Sequence, residues 1–435
     1  MSFLLQPLKR TGGIILAGGK TLFLAAAFLS LLLTSCHDDE SEEPETTERT
    51  VLVYVAGDND LTFNNHNIDY FAYDLKQMME ATKTMGTNNK LIVFVDHYRS
   101  KPYFLKVERG DTVRLKSMPT ELNSGDPETL YDALKYTIDN YPAKSYGLVL
   151  WGHSDGWLTR SGSAGGPRRA YGKDAISGNK WMNIPDMARV LERLPKLRFI
   201  FADCCAFLCV ENVYELRRTA DYIIGSPAEI PGEGAPYQTV TPALFSTDST
   251  FYKEVIDRYY EQKSEGYDLP LAVVKSSEMD LLAQATATTL ASLADKIERD
   301  ETDGCRYPTT DGLIFYYDHT QFDMQDFMLR YAAEEQYTEW KRVFDKAVPY
   351  RTFARVWMAR HIYNPFYTKF PEFQPTEERQ GALGMFLPQR ESDTFLWYSM
   401  YVLNLALSEK TVGQLNSDIK DMQWYEAARL SEMGW

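Results

Sequence analysis

Positive charge is what this chain has too little of. Its 46 lysines and arginines face 61 aspartates and glutamates, leaving a net charge of −15 at neutral pH. Non-specific nucleic-acid binding draws on basic patches, so this balance excludes it, while acidic surfaces attract cationic partners. Cysteine is scarce as well, at five in 435 residues: Cys36 and Cys305 stand alone, and Cys204, Cys205 and Cys209 cluster. A disulfide framework wants even numbers scattered through a small domain, and adjacent cysteines bridge each other only with backbone strain. The cluster has no Cys-x2-Cys pair and no histidine nearby in sequence, which excludes a zinc knuckle. A reactive thiol is the better account of at least one of these residues. No internal repeat is visible, and no apolar run reaches the roughly 20 residues of a comfortable membrane span. With 44% hydrophobic and 25% charged residues, the rest of the chain has the makings of an ample globular core.

Residues 1–36 read as a targeting segment. Lys9, Arg10 and Lys20 precede an apolar run over 21–33, interrupted only by Ser30, which leads into Leu33-Thr34-Ser35-Cys36. That ending resembles the lipobox of bacterial lipoproteins, which implies lipidation of Cys36; an ordinary signal peptide containing a cysteine is the alternative. Residues 37–49 form an acidic tether that repels itself and stays extended. Its acids resemble the surface-export signal of Bacteroidetes lipoproteins, with a solvated spacer as the plainer reading. The expected location is extracytoplasmic, lipid-anchored in the outer membrane or at the cell surface.

From residue 50 onward, apolar strand patterns alternate with helical ones, which implies an α/β fold with a mostly parallel sheet covered on both faces. Strands are expected at 50–56, 91–96, 148–152, 197–203, 222–226 and 271–274, with a hairpin at 103–115 turning at Gly110-Asp111. The spacing of Ile68, Phe71, Leu75, Met78 and Met79 predicts a first helix. Asp126 and Pro127 mark the start of a second. Further helices are expected at 184–194, 213–220, 252–262 and 279–298, a late strand at 381–388, and a long Gly/Ser/Arg-rich loop at 160–180.

Two of these strands run straight into reactive side chains: Leu150-Trp151-Gly152-His153 and Ala202-Asp203-Cys204-Cys205. Open α/β sheets bind ligands outside the carboxyl ends of their strands, and a thiol beside an imidazole is a nucleophile with its proton shuttle. Cys205, just before helical sequence, is expected to face helix-terminal N–H groups. His153 can protonate a leaving amine and later activate water. Taken alone, His153 is equally a satisfied strand-end histidine. Cys204 alternates to the opposite face from Cys205, so one of the pair is core. Asp203 shares a side with Cys205 and can floor a pocket for a cationic residue, or serve as a helix cap or solvated strand-end acid.

In order and spacing, several segments together resemble the clostripain family of cysteine peptidases. They are Val53-Tyr54-Val55-Ala56-Gly57-Asp58-Asn59-Asp60-Leu61, Gly125-Asp126-Pro127-Glu128-Thr129-Leu130, Leu150-Trp151-Gly152-His153, Asp203-Cys204-Cys205, Val213-Tyr214-Glu215-Leu216 and Glu229-Ile230-Pro231-Gly232-Glu233-Gly234-Ala235-Pro236-Tyr237. The resemblance covers most of 50–435. It implies a caspase-like α/β fold, with a mostly parallel sheet flanked by helices over 50–240. An α+β C-terminal extension, 241–435, completes that domain or packs on it. It also implies an endopeptidase acting after Arg or Lys on peptides or proteins, with His153 and Cys205 as the dyad. Asp203 would lie in the pocket for the cationic side chain, with Glu233 a second acid there. Calcium is the one cofactor implied; Asp58 and Asp60 can bind it or cap the first helix. Self-cleavage would use Arg168-Arg169 or Lys173, which otherwise belong to an unprocessed basic loop.

The chain departs from that family pattern at two places. Ser154 stands where a glycine is usual, and a side chain there can distort the loop or remove an oxyanion donor. Cys204 replaces a smaller residue between acid and nucleophile; register favours Cys205, with Cys204 a second candidate. Ser154 leaves open a non-catalytic surface lipoprotein that keeps the fold, and another cysteine hydrolase or a transpeptidase is a third reading.

Overall fold

Val51, Leu52, Val53, Tyr54 and Val55 give β1 (Arg49–Gly57) no polar face, and the strand is buried along its whole length. That is how a parallel strand looks when helices cover both of its sides. The computed structural model describes residues 47–63, 66–158, 170–261, 268–293, 298–300, 304–306, 313–317, 321–357, 375–388 and 412–433. Around β1 it builds a nine-stranded sheet. β1 pairs in parallel with β2 (Asn89–His97) and, on its other side, with β5 (Ser145–Gly152). β5 pairs in parallel with β8 (Leu197–Asp203), and β8 with β9 (Ala220–Gly225). Beyond β2 the sheet turns antiparallel through β3 (Tyr103–Glu108) and β4 (Asp111–Ser117). Their turn places Arg109 and Gly110 at positive φ, one residue before the expected pair.

The opposite edge is made by residues beyond 240. β10 (Ala272–Lys275) adds antiparallel to β9, and β15 (Tyr350–Arg351) adds to β10. The sheet therefore continues past residue 240, the division expected from the sequence. Smaller ladders lie outside it: β6 (Tyr171–Asp174) with β7 (Lys180–Met182), and β11 (Glu298–Asp300) with β12 (Gly304–Arg306). β13 (Phe315–Tyr317), β14 (Gln321–Asp323) and β16 (Gly384–Met385) form a third.

Side-chain alternation divides the core into two layers. Leu52, Tyr54, Leu148, Leu150, Ile200 and Ala202 face α2 (Pro127–Asn140), α3 (Ile184–Leu191), α4 (Val210–Leu216) and α7 (Met279–Ala291). Val51, Val53, Val149, Trp151, Phe199 and Phe201 face α1 (Tyr70–Thr82), α5 (Tyr237–Leu244) and α6 (Phe251–Glu261). Asp126 caps α2 by accepting from the Glu128 N–H, with Pro127 at the first helical position.

Several boundaries differ from expectation. α4 starts at Val210 and ends at Leu216, because the chain must enter β9 at Ala220. α7 stops at Ala291, and Glu298 belongs to a strand. The 381–388 strand contracts to Gly384–Met385. Within the expected 160–180 loop, β6 and β7 make a hairpin, while Arg168 and Arg169 lie outside the described residues, as does Cys36. Among the described residues no helix is long and apolar enough to cross a membrane.

Gly125 holds the β6–β7 hairpin against the rest of the fold. A Cβ there would sit 2.6 Å from the Lys180 carbonyl oxygen and 2.7 Å from that of Gly172, both backbone atoms that cannot rotate away. Overpacking of this kind costs about 1–3 kcal/mol. Gly125→Ala is expected to lower the denaturant midpoint by an amount corresponding to that loss, measured by equilibrium unfolding.

Candidate active site

In the parallel ladder between β5 and β8, Trp151 lies opposite Asp203. His153 and Cys205 each follow two residues later, so both leave neighbouring strands at the same, carboxyl end of the sheet. Three further loops gather there: the one after β1, carrying Asp58, Asn59 and Asp60; the β6–β7 hairpin; and the loop after β9, carrying Glu229, Ile230 and Glu233. Asn59 ties the first two together, its side-chain amide donating to the carbonyls of Ala56 and Lys173 at 2.9 and 2.8 Å.

His153 is held by a residue expected elsewhere. Its Nε2 lies 3.2 Å from Asp60 Oδ1, and Lys173 Nζ donates to the same oxygen at 3.2 Å. The Trp181 ring flanks the imidazole, with centroids 6.2 Å apart. The hydrogen bond from His153, with the charges of His153 and Lys173, outweighs burial and holds the Asp60 carboxyl well below the usual range. Asp60 therefore does not cap the first helix. Asp69 does, accepting from the Ala72 N–H at 2.9 Å. Asp58 accepts from the backbone N–H groups of Ile176 and Arg99. Among the described residues no three acidic, histidine or cysteine side chains form a metal-holding group. The residues present do not fit a calcium site at Asp58 and Asp60, and no chemical step runs through one.

Ser154 fits its place without a glycine's freedom. Left-handed backbone falls on Gly156 instead, at φ +70°, where a Cβ would sit 3.0 Å from the Ala206 carbonyl oxygen. Ser154 bridges to Tyr171, and its hydroxyl accepts from the Gly156 N–H at 3.2 Å.

Cys205 is partly exposed and packs on the α1–α5–α6 side, while Cys204 is buried in the opposite layer. The donor aimed at the Cys205 sulfur is the Ile230 N–H, 3.5 Å away. α4 begins too far along the chain, at Val210, to supply one. Burial, reinforced by the charges of Glu229, Asp155 and Asp203, pushes the Cys205 thiol well up, so it rests protonated. The next residue, Ala206, has φ +54°, a strained conformation for a residue with a Cβ. It is fixed by its N–H donating to the Ala228 carbonyl at 2.9 Å and its own carbonyl accepting from Gln321 at 2.7 Å.

Asp203 and Glu233 lie on two sides of one loop. Asp203 is buried beneath it, accepting from the Ala235 N–H at 3.0 and 3.1 Å, the Tyr237 hydroxyl at 2.8 Å and the Tyr259 hydroxyl at 3.0 Å. Glu233 is exposed in the turn that closes when the Gly234 N–H donates to Pro231. A buried acid on α1, Asp74, was not foreseen. It accepts from the Trp151 indole at 2.8 Å, and burial, then the Asp203 charge, push its carboxyl up to about 9. Its only sequence signal was a polar residue on the apolar stripe of α1.

Because Glu229 raises the Cys205 thiol, Glu229→Gln is expected to lower the pH midpoint of alkylation by iodoacetamide. A shift of half a pH unit corresponds to roughly threefold faster labelling below the midpoint.

The model of the clostripain family matches residues 53–421. The chain is similar to a secreted C11 cysteine protease from Bacteroides thetaiotaomicron solved with an irreversible peptide inhibitor. Their identity is 26%, with 88% of this chain and 99% of that chain covered and a TM-score of 0.67. It is also similar to an inactive zymogen C11 protease from Parabacteroides distasonis, at 28% identity over 88% of this chain and 99% of that chain, with a TM-score of 0.65. A comparison with curated proteins found no match.

Proposed function

The chain belongs to the clostripain family, and from that premise we propose that this cysteine protease cuts peptide bonds after arginine or lysine, using Cys205 as nucleophile and His153 as proton carrier. The β5–β8 register carries the reading, because it brings an imidazole and a thiol to adjacent strand ends that open in the same direction. The resting thiol is protonated, so attack requires a base. His153 takes the thiol proton as sulfur bonds to the substrate carbonyl carbon, then delivers it to the departing amine. Water, deprotonated by His153, hydrolyses the thioester and frees the sulfur.

Preference for a cationic side chain is supported by the acids around the same loop. Glu233 is exposed where a substrate cation would arrive, and Asp203 places a second carboxyl group beneath it. An extracytoplasmic, lipid-anchored location is supported by the Leu33-Thr34-Ser35-Cys36 ending and by the secreted state of the similar Bacteroides thetaiotaomicron protease.

Peptides bearing Arg or Lys before a fluorogenic leaving group are expected to turn over about 100-fold faster than Gln or Ala analogues. Cys205→Ala or His153→Ala should lose at least about 1,000-fold in kcat. Full turnover in either variant overturns the dyad, and equal rates across the peptides overturn the specificity. Cys36→Ala is expected to move the protein from the membrane fraction to the soluble fraction; an unchanged distribution removes the lipid anchor.

A further inference from the structure

We propose that Asp60 is a positioning residue for the His153 imidazole, and that Lys173 tempers it by sharing the same carboxylate oxygen. The inference rests on the Cys205–His153 reading and adds to it a third member and a regulator of its strength.

The geometry carries the argument. Asp60 accepts from Nε2 of His153, so the nitrogen left to exchange protons with the thiol is Nδ1. An acceptor on one ring nitrogen fixes the ring's orientation and tautomer, and a negative acceptor also stabilises the imidazolium that forms when the thiol proton is taken. The neighbouring Asn59 holds the loop that carries Asp60, donating to the carbonyls of Ala56 in β1 and of Lys173. Trp181 flanks the ring from β7 and carries no charge. Lys173 lies 3.2 Å from the oxygen that His153 uses. Two donors therefore draw on one acceptor atom, and the cation nearest to it weakens the field that the imidazolium experiences.

Asp58, after β1, and Glu233, after β9, also carry charge at this end of the sheet, as do Asp155, on the loop that follows His153, and Glu229, after β9; the last two act on the Cys205 thiol. None of them changes in the variants below. Opposite effects from Asp60 and Lys173 would therefore report the shared contact itself.

The test is the pH dependence of kcat/KM with a single Arg peptide for the full-length protein and its Asp60→Asn, Asp60→Glu, Lys173→Gln and His153→Ala variants. The limb set by His153 is the acid one, where the imidazole must be neutral to accept the thiol proton. Removing the Asp60 charge takes away the negative acceptor that favours the imidazolium, so Asp60→Asn should move this limb to lower pH. It should also reduce the plateau roughly 10- to 100-fold. Removing the Lys173 charge should move the limb the other way, by a few tenths of a unit, consistent with a partly screened contact. Asp60→Glu should recover part of both effects.

If Asp60→Asn lowers the plateau with the limb unmoved, Asp60 has a merely structural role and the inference falls. It falls equally if Lys173→Gln leaves the limb in place or moves it downward. Should Asp60→Asn fail to fold, Lys173→Gln decides alone. The underlying reading fails separately, through activity that survives in His153→Ala.

Discussion

The pairing of β5 with β8 is the constraint on which the rest depends. Both strands are buried, and each alternates between the two core layers, so the ladder tolerates no slip. A shift of one residue in β8 would exchange Phe199 and Phe201 for Ile200 and Ala202 and would put the sulfur of Cys204 where that of Cys205 now lies. The large aromatic rings of β8 fill the layer beneath α5 and α6, while the small side chain of Ala202 faces the other layer. Packing thus selects which of two adjacent thiols lies partly exposed on the α1–α5–α6 side, before any chemistry is considered.

The same alternation explains why so much negative charge is tolerated underneath. Asp203 and Asp74 are buried in the layer shared with Trp151, and their stated partners are an amide, two phenols and an indole. Burial raises both carboxyls, which shifts them toward their neutral forms. A neutral acid costs less to bury than a carboxylate, so packing and protonation state are coupled in this layer.

The sheet was legible in the sequence because its strands are apolar on both faces and are separated by amphipathic helices; 50–56, 91–96 and 148–152 fall within strands of the fold. The placement of His153 and Cys205 just beyond two strand ends is legible for the same reason, since strand patterns stop at them. What could not be read was long-range pairing of polar side chains. Asp60 lies in an acidic loop whose local pattern fits a cap or an ion site as well as it fits an imidazole held through tertiary contact. α5 is hard to read because its buried run is short and contains Pro242, and no breaker marks the end of α7 at Ala291. The burial of Asp203 is not legible locally, because Tyr237 and Tyr259, whose hydroxyls donate to it, come from helices far along the chain.

The sheet ends differently at its two margins. On one side β15 is only two residues long. On the other, β4 alternates Arg114 and Lys116 with Val113 and Leu115, and a bulge interrupts its pairing with β3. Short or cationic margins discourage a passing strand from docking edge-on. An extended polypeptide is thereby denied a lateral ladder along either margin, which guards the fold against serving as a template for edge-on aggregation.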